Sequence, residues 1–329
     1  MNSKSAMAII KNNLPFLIMI IVFALLPAFS SSRFWINIFI VVFVRTVSSV
    51  SLRTLGLSGS MSMGHSAFVG IGAYTAAVLA THYGWPPYST ILVGAIAAMI
   101  IGVITGLPFV RLRSIYYLMA TMFLGVAIVY FISALKITGG APGLAGIPTL
   151  FKSSEMIQFY YFFFIIAVVS IAAMYRFEFS RIGTILKAIS QSEYAASAMG
   201  VNTAFYKLLA VGCGCFFAGL AGAAFSLYNS AIVPSSYGML ASVTLLMYNL
   251  IGGHQKFIGP ILGTIILVII PEASRAINEY APFVTVIVML LVAYLLPGGL
   301  ASIPEAIKIT IDKRRKRLGE TIINGSGEE

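Results

Sequence analysis

Apolar residues run along this chain in blocks much longer than the alternations of a half-buried strand, and polar clusters separate the blocks. Ten blocks are long enough to cross a bilayer as helices, alone or with neighbours covering their ends. They span approximately residues 14–30, 34–52, 63–82, 89–110, 114–135, 157–175, 207–229, 239–252, 258–271 and 281–298, the eighth and ninth being short. The pattern predicts an all-α, polytopic integral membrane protein of about ten transmembrane helices. Residues 1–311 form its transmembrane domain, and 312–329, beginning DKRRKR, read as a basic cytoplasmic tail, solvated and partly disordered, with contact to anionic lipid as the functional alternative. Lys4 and Lys11 precede the first block as in a signal peptide, but no small-residue cleavage site ends that block, so it reads as a retained span.

Composition sharpens this picture. Of 329 residues, 59% are apolar and 9% charged, against roughly 25% charged in a soluble domain. The net charge of +11 would also suit nucleic acid, but the basic residues sit between apolar blocks rather than in a folded basic domain, which speaks for topology and against a nucleic-acid partner. If both termini are cytoplasmic, 16 of the 21 Lys and Arg residues lie inside, Arg33, Lys136, Lys152 and Arg275 lie outside, and Arg45 falls within a span. The loop 136–156, rich in glycine and proline, then faces outward. The loop 176–206 is the longest on the inner side.

The acidic residues exclude more than they assign. All ten fall outside the middle of the expected spans, and none precedes Glu155. Proton- and sodium-coupled carriers commonly use intramembrane carboxylates as relays or ligands, so a secondary carrier is the weaker reading. A phosphate-binding loop and an H-E-x-x-H motif are both missing, and His65, His82 and His254 lie on separate segments. The chain is therefore expected to catalyse no reaction and to hold no metal or cofactor, with the energy for uphill transport coming from a partner. A membrane-embedded enzyme is the remaining alternative. Cys213 and Cys215, at C-x-C spacing inside an apolar block, read as small packing residues.

Small residues recur four apart at Gly72 and Ala76, Ala218 and Gly222, and Gly219 and Ala223, a spacing that lets helix backbones approach closely. For Gly64, Ser66, Gly70 and Gly72 two readings stand, tight packing and a helix break beside a translocation pathway. Arg45 is the fifth candidate pathway residue. A cation near mid-span costs about 2.5–3.5 kcal/mol on insertion scales, and its counter-charge is open between backbone carbonyls, a distant carboxylate, another subunit and an anionic substrate.

Several segments in order resemble the branched-chain amino acid ABC-transporter permeases of the LivM type. They are GHSAFVGIGAYTAA at 64–77, VRLRSIYY at 110–117, TGGAPGLAGIP at 138–148, AISQSEYAASAMGVN at 188–202, KLLA at 207–210, AGLAGA at 218–223 and GGHQKFIGPILG at 252–263. The resemblance implies a pore-forming subunit in a bacterial inner membrane that imports branched-chain amino acids or a related small polar solute. It implies as partners two cytoplasmic ABC ATPase subunits, a second homologous permease and an extracytoplasmic solute-binding protein. It also implies an ATPase coupling loop at about 188–202, in which Glu193, Ala195, Ala196 and Gly200 match the family's pattern and Met199 lies within it. Gly200 suits a left-handed residue ending a short helix. Arg45, and His254, Gln255 and Lys256, depart from the residues usual in such permeases.

The distribution of basic residues predicts that a cysteine placed at Ser192 is shielded from an impermeant thiol reagent in intact cells, while one at Ser153 is labelled. Labelling at Ser192 without Ser153 would overturn this topology.

Overall fold

A computed structural model describes residues 23–24, 26–27, 32–112, 114–151, 155–253, 255–273, 294, 299 and 300. Among these, ten helices follow in order: α1 Arg33–Gly56, α2 His65–His82, α3 Pro87–Phe109, α4 Ser114–Ala134, α5 Met156–Glu178, α6 Arg181–Gln191, α7 Glu193–Ala198, α8 Thr203–Asn229, α9 Met239–Gly252 and α10 Gly259–Ala273. Eight of them coincide with the second to ninth expected spans. Most of the first expected span, nearly all of the last, and the basic tail at 312–329 lie outside the described residues. By length and composition, α1, α3, α5, α8 and the stretch Ile115–Ala134 of α4 can each cross a membrane. The protein is thus a multi-pass, all-α membrane protein.

The chain divides into two compact units, Met1–Leu246 and Met247–Glu329. In the first, α8 packs along α1, α2 and α3, while α2 also contacts α3 and α4, and α1 contacts α5. The most buried helix, α2, is less apolar than its neighbours, with His65, Ser66 and Tyr74 among its buried residues. Protein rather than lipid surrounds it, so its polar groups find partners inside the bundle. By contrast α4 turns Ile115, Phe123, Tyr130 and Phe131 outward, as a lipid-facing helix does.

Close backbone approach makes this arrangement possible. A Cβ on Gly72 of α2 would strike the backbone of Gly219 on α8, and a Cβ on Gly219 would strike Ala98 on α3. Cys215 is fully buried in the same layer, where its sulfur fills the space that a side chain at Gly102 would occupy. The small-residue spacing in the sequence therefore marks a three-helix contact. In the second unit, Gly252 and Gly259 bring the end of α9 against the start of α10 in the same manner.

Turn chemistry punctuates the helices. Pro86 and Pro87 start α3. Ser180, Ser192 and Asn202 cap α6, α7 and α8 by accepting from the backbone N–H of Gly183, Ala195 and Phe205. The loop 136–151 holds a two-residue strand β1, Leu144–Ala145, antiparallel to β2, Ala231–Ile232, with Leu144 opposite Ile232. All four loop glycines, at 139, 140, 143 and 146, have positive φ, so the expected turn-rich segment is a folded strap.

The Gly72–Gly219 contact predicts that Gly72→Leu destabilises the detergent-solubilised protein by about 3 kcal/mol or more, because neither backbone can yield. Gly56→Ala, where an added Cβ meets nothing within 4 Å, should change stability by less than about 0.5 kcal/mol. Thermal unfolding monitored by size-exclusion chromatography separates the two, and an unchanged Tm for Gly72→Leu would contradict the packing described.

Candidate functional site

At one end of the first unit, buried charges tie the short helices to the spans. Arg53, near the end of α1, donates from Nη2 to Oε1 of Glu178 at 3.0 Å and from Nη1 to Oε2. Lys187 of α6 places Nζ 3.0 Å from the same Oε1. Arg53 and Glu178 are both buried, and a bidentate fork plus a second cation satisfies a carboxylate that would be costly to bury alone. The Lys187 ammonium also stands 4.8 Å from the centroid of the Phe179 ring. Burial, and then the neighbouring Arg53 charge, lowers the pKa of Lys187 from its ordinary value.

A second ion pair anchors α7. Lys207, buried at the start of α8, donates to Glu193 Oε1 at 2.7 Å and to the carbonyl of Val110 at 3.4 Å. Glu193 therefore bonds to this chain's own span. Ala196 is buried as well, at 6% exposure, so it belongs to the inner face of α7 and a charge placed there would disturb the chain's own packing. The outward residues are Tyr194, Ala195, Ser197, Ala198 and Met199, the last 85% exposed. Gly200 follows with φ +83° and open space around its missing Cβ. Its requirement is thus the left-handed backbone that ends the helix, not room for a neighbour.

Towards the opposite end lies a cavity of about 370 Å³. Arg45 lines it from mid-α1, Ser66 from the first turn of α2, Phe225 and Asn229 from the end of α8, and residues 231–233, 236 and 237 from the segment that follows. Ser66 does structural work at its wall: its N–H donates to Ser242 Oγ at 3.1 Å, and its hydroxyl lies within hydrogen-bonding distance of the carbonyls of Tyr237 and Gly238 and of Ser242 Oγ. The structure thus brings Arg45 and Ser66 to one cavity. Gly64 and Gly72 pack instead on the backbones of Thr121 and Gly219, and Gly70 makes room for the Tyr237 ring, which is the cavity's own wall. Elsewhere in α2, His65 Nε2 pairs with Ser51 Oγ at 2.8 Å.

Sequence reasoning passed over two features here. Arg53 and Glu178 entered it only as a topological charge and a peripheral acid, because 125 residues separate them. Asn229, Ser236 and Tyr237 carry no motif, and the signal that marks them is a Tyr-Asn-Ser break followed by Pro234 after an apolar block.

Residues 34–293 match the family described as branched-chain amino acid transport system / permease component. Among similar proteins is the high-affinity branched-chain amino acid transport system permease protein LivM of Escherichia coli K12. The two are 27% identical over 314 residues, covering 87% of this chain and 74% of the relative. The LivM protein of Salmonella typhimurium LT2 is 26% identical over the same shares. No solved structure matches this chain. With the match running from α1 through α10, the chain belongs to the branched-chain amino acid transport system permease family.

Proposed function

We propose that this permease subunit imports branched-chain amino acids into the cytoplasm on energy supplied by separate ATPase subunits, and that α7 is where that energy enters. The observation carrying the coupling role is the placement of Glu193–Ala198: a short helix fixed to α8 through Glu193 and Lys207, with Met199 left bare beside it. An exposed apolar knob on a charge-anchored helix suits a cleft in a partner, since a rigid attachment passes displacement on to the spans. The substrate class follows the printed names of the LivM relatives, which support branched-chain amino acids for this chain too.

The complete importer then contains two cytoplasmic ABC ATPase subunits, a second homologous permease and an extracytoplasmic solute-binding protein. Both termini and the end carrying Arg53, Lys187 and Lys207 face the cytoplasm, the strap at 136–151 faces outward, and the membrane is the bacterial inner membrane. A docked, loaded binding protein opens the pathway outside, and ATP binding and hydrolysis inside move α6 and α7 with α1, α5 and α8. The ion pairs are the links. Nothing in this chain's own chemistry is needed beyond moving between two arrangements.

Met199→Glu touches an exposed side chain, so it should leave the amount of permease in the membrane unchanged while reducing ATPase copurification and cutting leucine uptake by about tenfold or more. Gly200→Val, which puts a β-branched residue at φ +83°, should act in the same direction by distorting the helix end. Normal uptake with the ATPase still bound in both variants would show that α7 is not the coupling element.

A further inference from the structure

Arg45 stands near the centre of α1, with roughly 17 Å of helix on either side at 1.5 Å per residue, so neither end of the helix is within easy reach of its side chain. It is only half-buried because it borders the cavity. The ion pairs of Arg53, Lys187 and Lys207 are made elsewhere in the unit, and among the described residues Arg45 has neither an ion pair nor a hydrogen bond. No acidic residue lines the cavity. A guanidinium offers five donors in a planar fork and cannot be neutralised by losing a proton, and a cation left unpaired at this depth is unfavourable.

The remaining polar groups of the cavity divide into two kinds. The hydroxyls of Ser48 and Ser66 are spent on backbone carbonyls, those of Val44 and of Tyr237 and Gly238. The Arg45 guanidinium, the Asn229 amide and the Ser236 and Tyr237 hydroxyls are uncommitted among the described residues. The rest of the lining is largely apolar, including Val41, Val69 and Leu245. One fixed positive charge, three neutral hydrogen-bonding groups and apolar walls within about 370 Å³ match a small solute bearing a carboxylate, a second polar group and a short hydrocarbon side chain.

We propose that Arg45 is the carboxylate anchor of the translocation pathway, selecting solutes by that group at the outer half of the permease. The assignment rests on the import reading and adds to it the chemistry by which the pore itself, apart from any binding protein, recognises its cargo. Asn229 and Ser236 receive the ammonium, which donates to their oxygens. The apolar walls take the side chain.

The test uses the purified full importer complex without its binding protein, so that only the pore can discriminate. Protection against thermal unfolding is titrated with leucine and with leucinamide, and ATP-dependent leucine uptake is measured in parallel on the complete system. Leucine should protect the wild-type complex at concentrations about tenfold or more below leucinamide. Arg45→Gln should abolish that preference and reduce uptake at unchanged complex yield, and Arg45→Lys, which keeps the charge, should retain it in weakened form. Equal protection by the two solutes in the wild type or in Arg45→Lys overturns the assignment, even if Arg45→Gln fails to assemble. Intact uptake and an unchanged preference in Arg45→Gln likewise overturn it alone. Absence of leucine uptake by the wild-type system overturns the import reading and this assignment with it.

Discussion

The backbone contact between Gly72 of α2 and Gly219 of α8 is the constraint on which the rest of the first unit depends. In a bilayer there is no hydrophobic gain in bringing two helices together, so association relies on close packing and on polar groups finding partners. Small residues at this crossing let α2 sink into the bundle, where its polar residues meet others: Ser51 for His65, and Ser242 with the carbonyls of Tyr237 and Gly238 for Ser66. Because Ser66 holds the segment after β2, the position of α2 also fixes the wall of the Arg45 cavity. A larger residue at Gly72 would move both.

Charge joins the short helices to the spans at one end of the same unit. The fork from Arg53 to Glu178, joined by Lys187, binds α1, α5 and α6, and the bond from Lys207 to Glu193 binds α7 to α8. Both α1 and α8 run on to the cavity, where they carry Arg45 and Asn229. On the proposed coupling role, a push on α6 and α7 has a contiguous route through α1 and α8 to the cavity walls. Buried pairs of this kind add little net stability compared with apolar packing. Under the same proposal, their value lies in fixing which helices move together.

Much of the fold was legible because a bilayer demands long apolar runs with internally satisfied backbones, and eight expected spans coincide with observed helices. Gly200 was legible for a local reason, since the helix end it forms depends on its own φ. Ala196 was not: its small size suited a partner's cleft equally well, and only the three-dimensional packing shows it covered by its own chain. The glycines of 64–72 were ambiguous in the same way, and the structure assigns them to contacts with α4, α8 and Tyr237. Arg45 stood out in the sequence as a charge within an apolar block. Its companions Asn229 and Ser236 did not, because the cavity is assembled from segments far apart in the chain.

On the proposed function, this chain is a conduit driven by ATP hydrolysed on other subunits. The most direct measurement is uptake of radiolabelled leucine into proteoliposomes containing either the chain alone or the chain with its ATPase, second permease and binding protein. The account predicts accumulation only in the complete system with ATP at the cytoplasmic face, and none by the chain alone under an imposed proton or sodium gradient. Gradient-driven accumulation by the chain alone would contradict it.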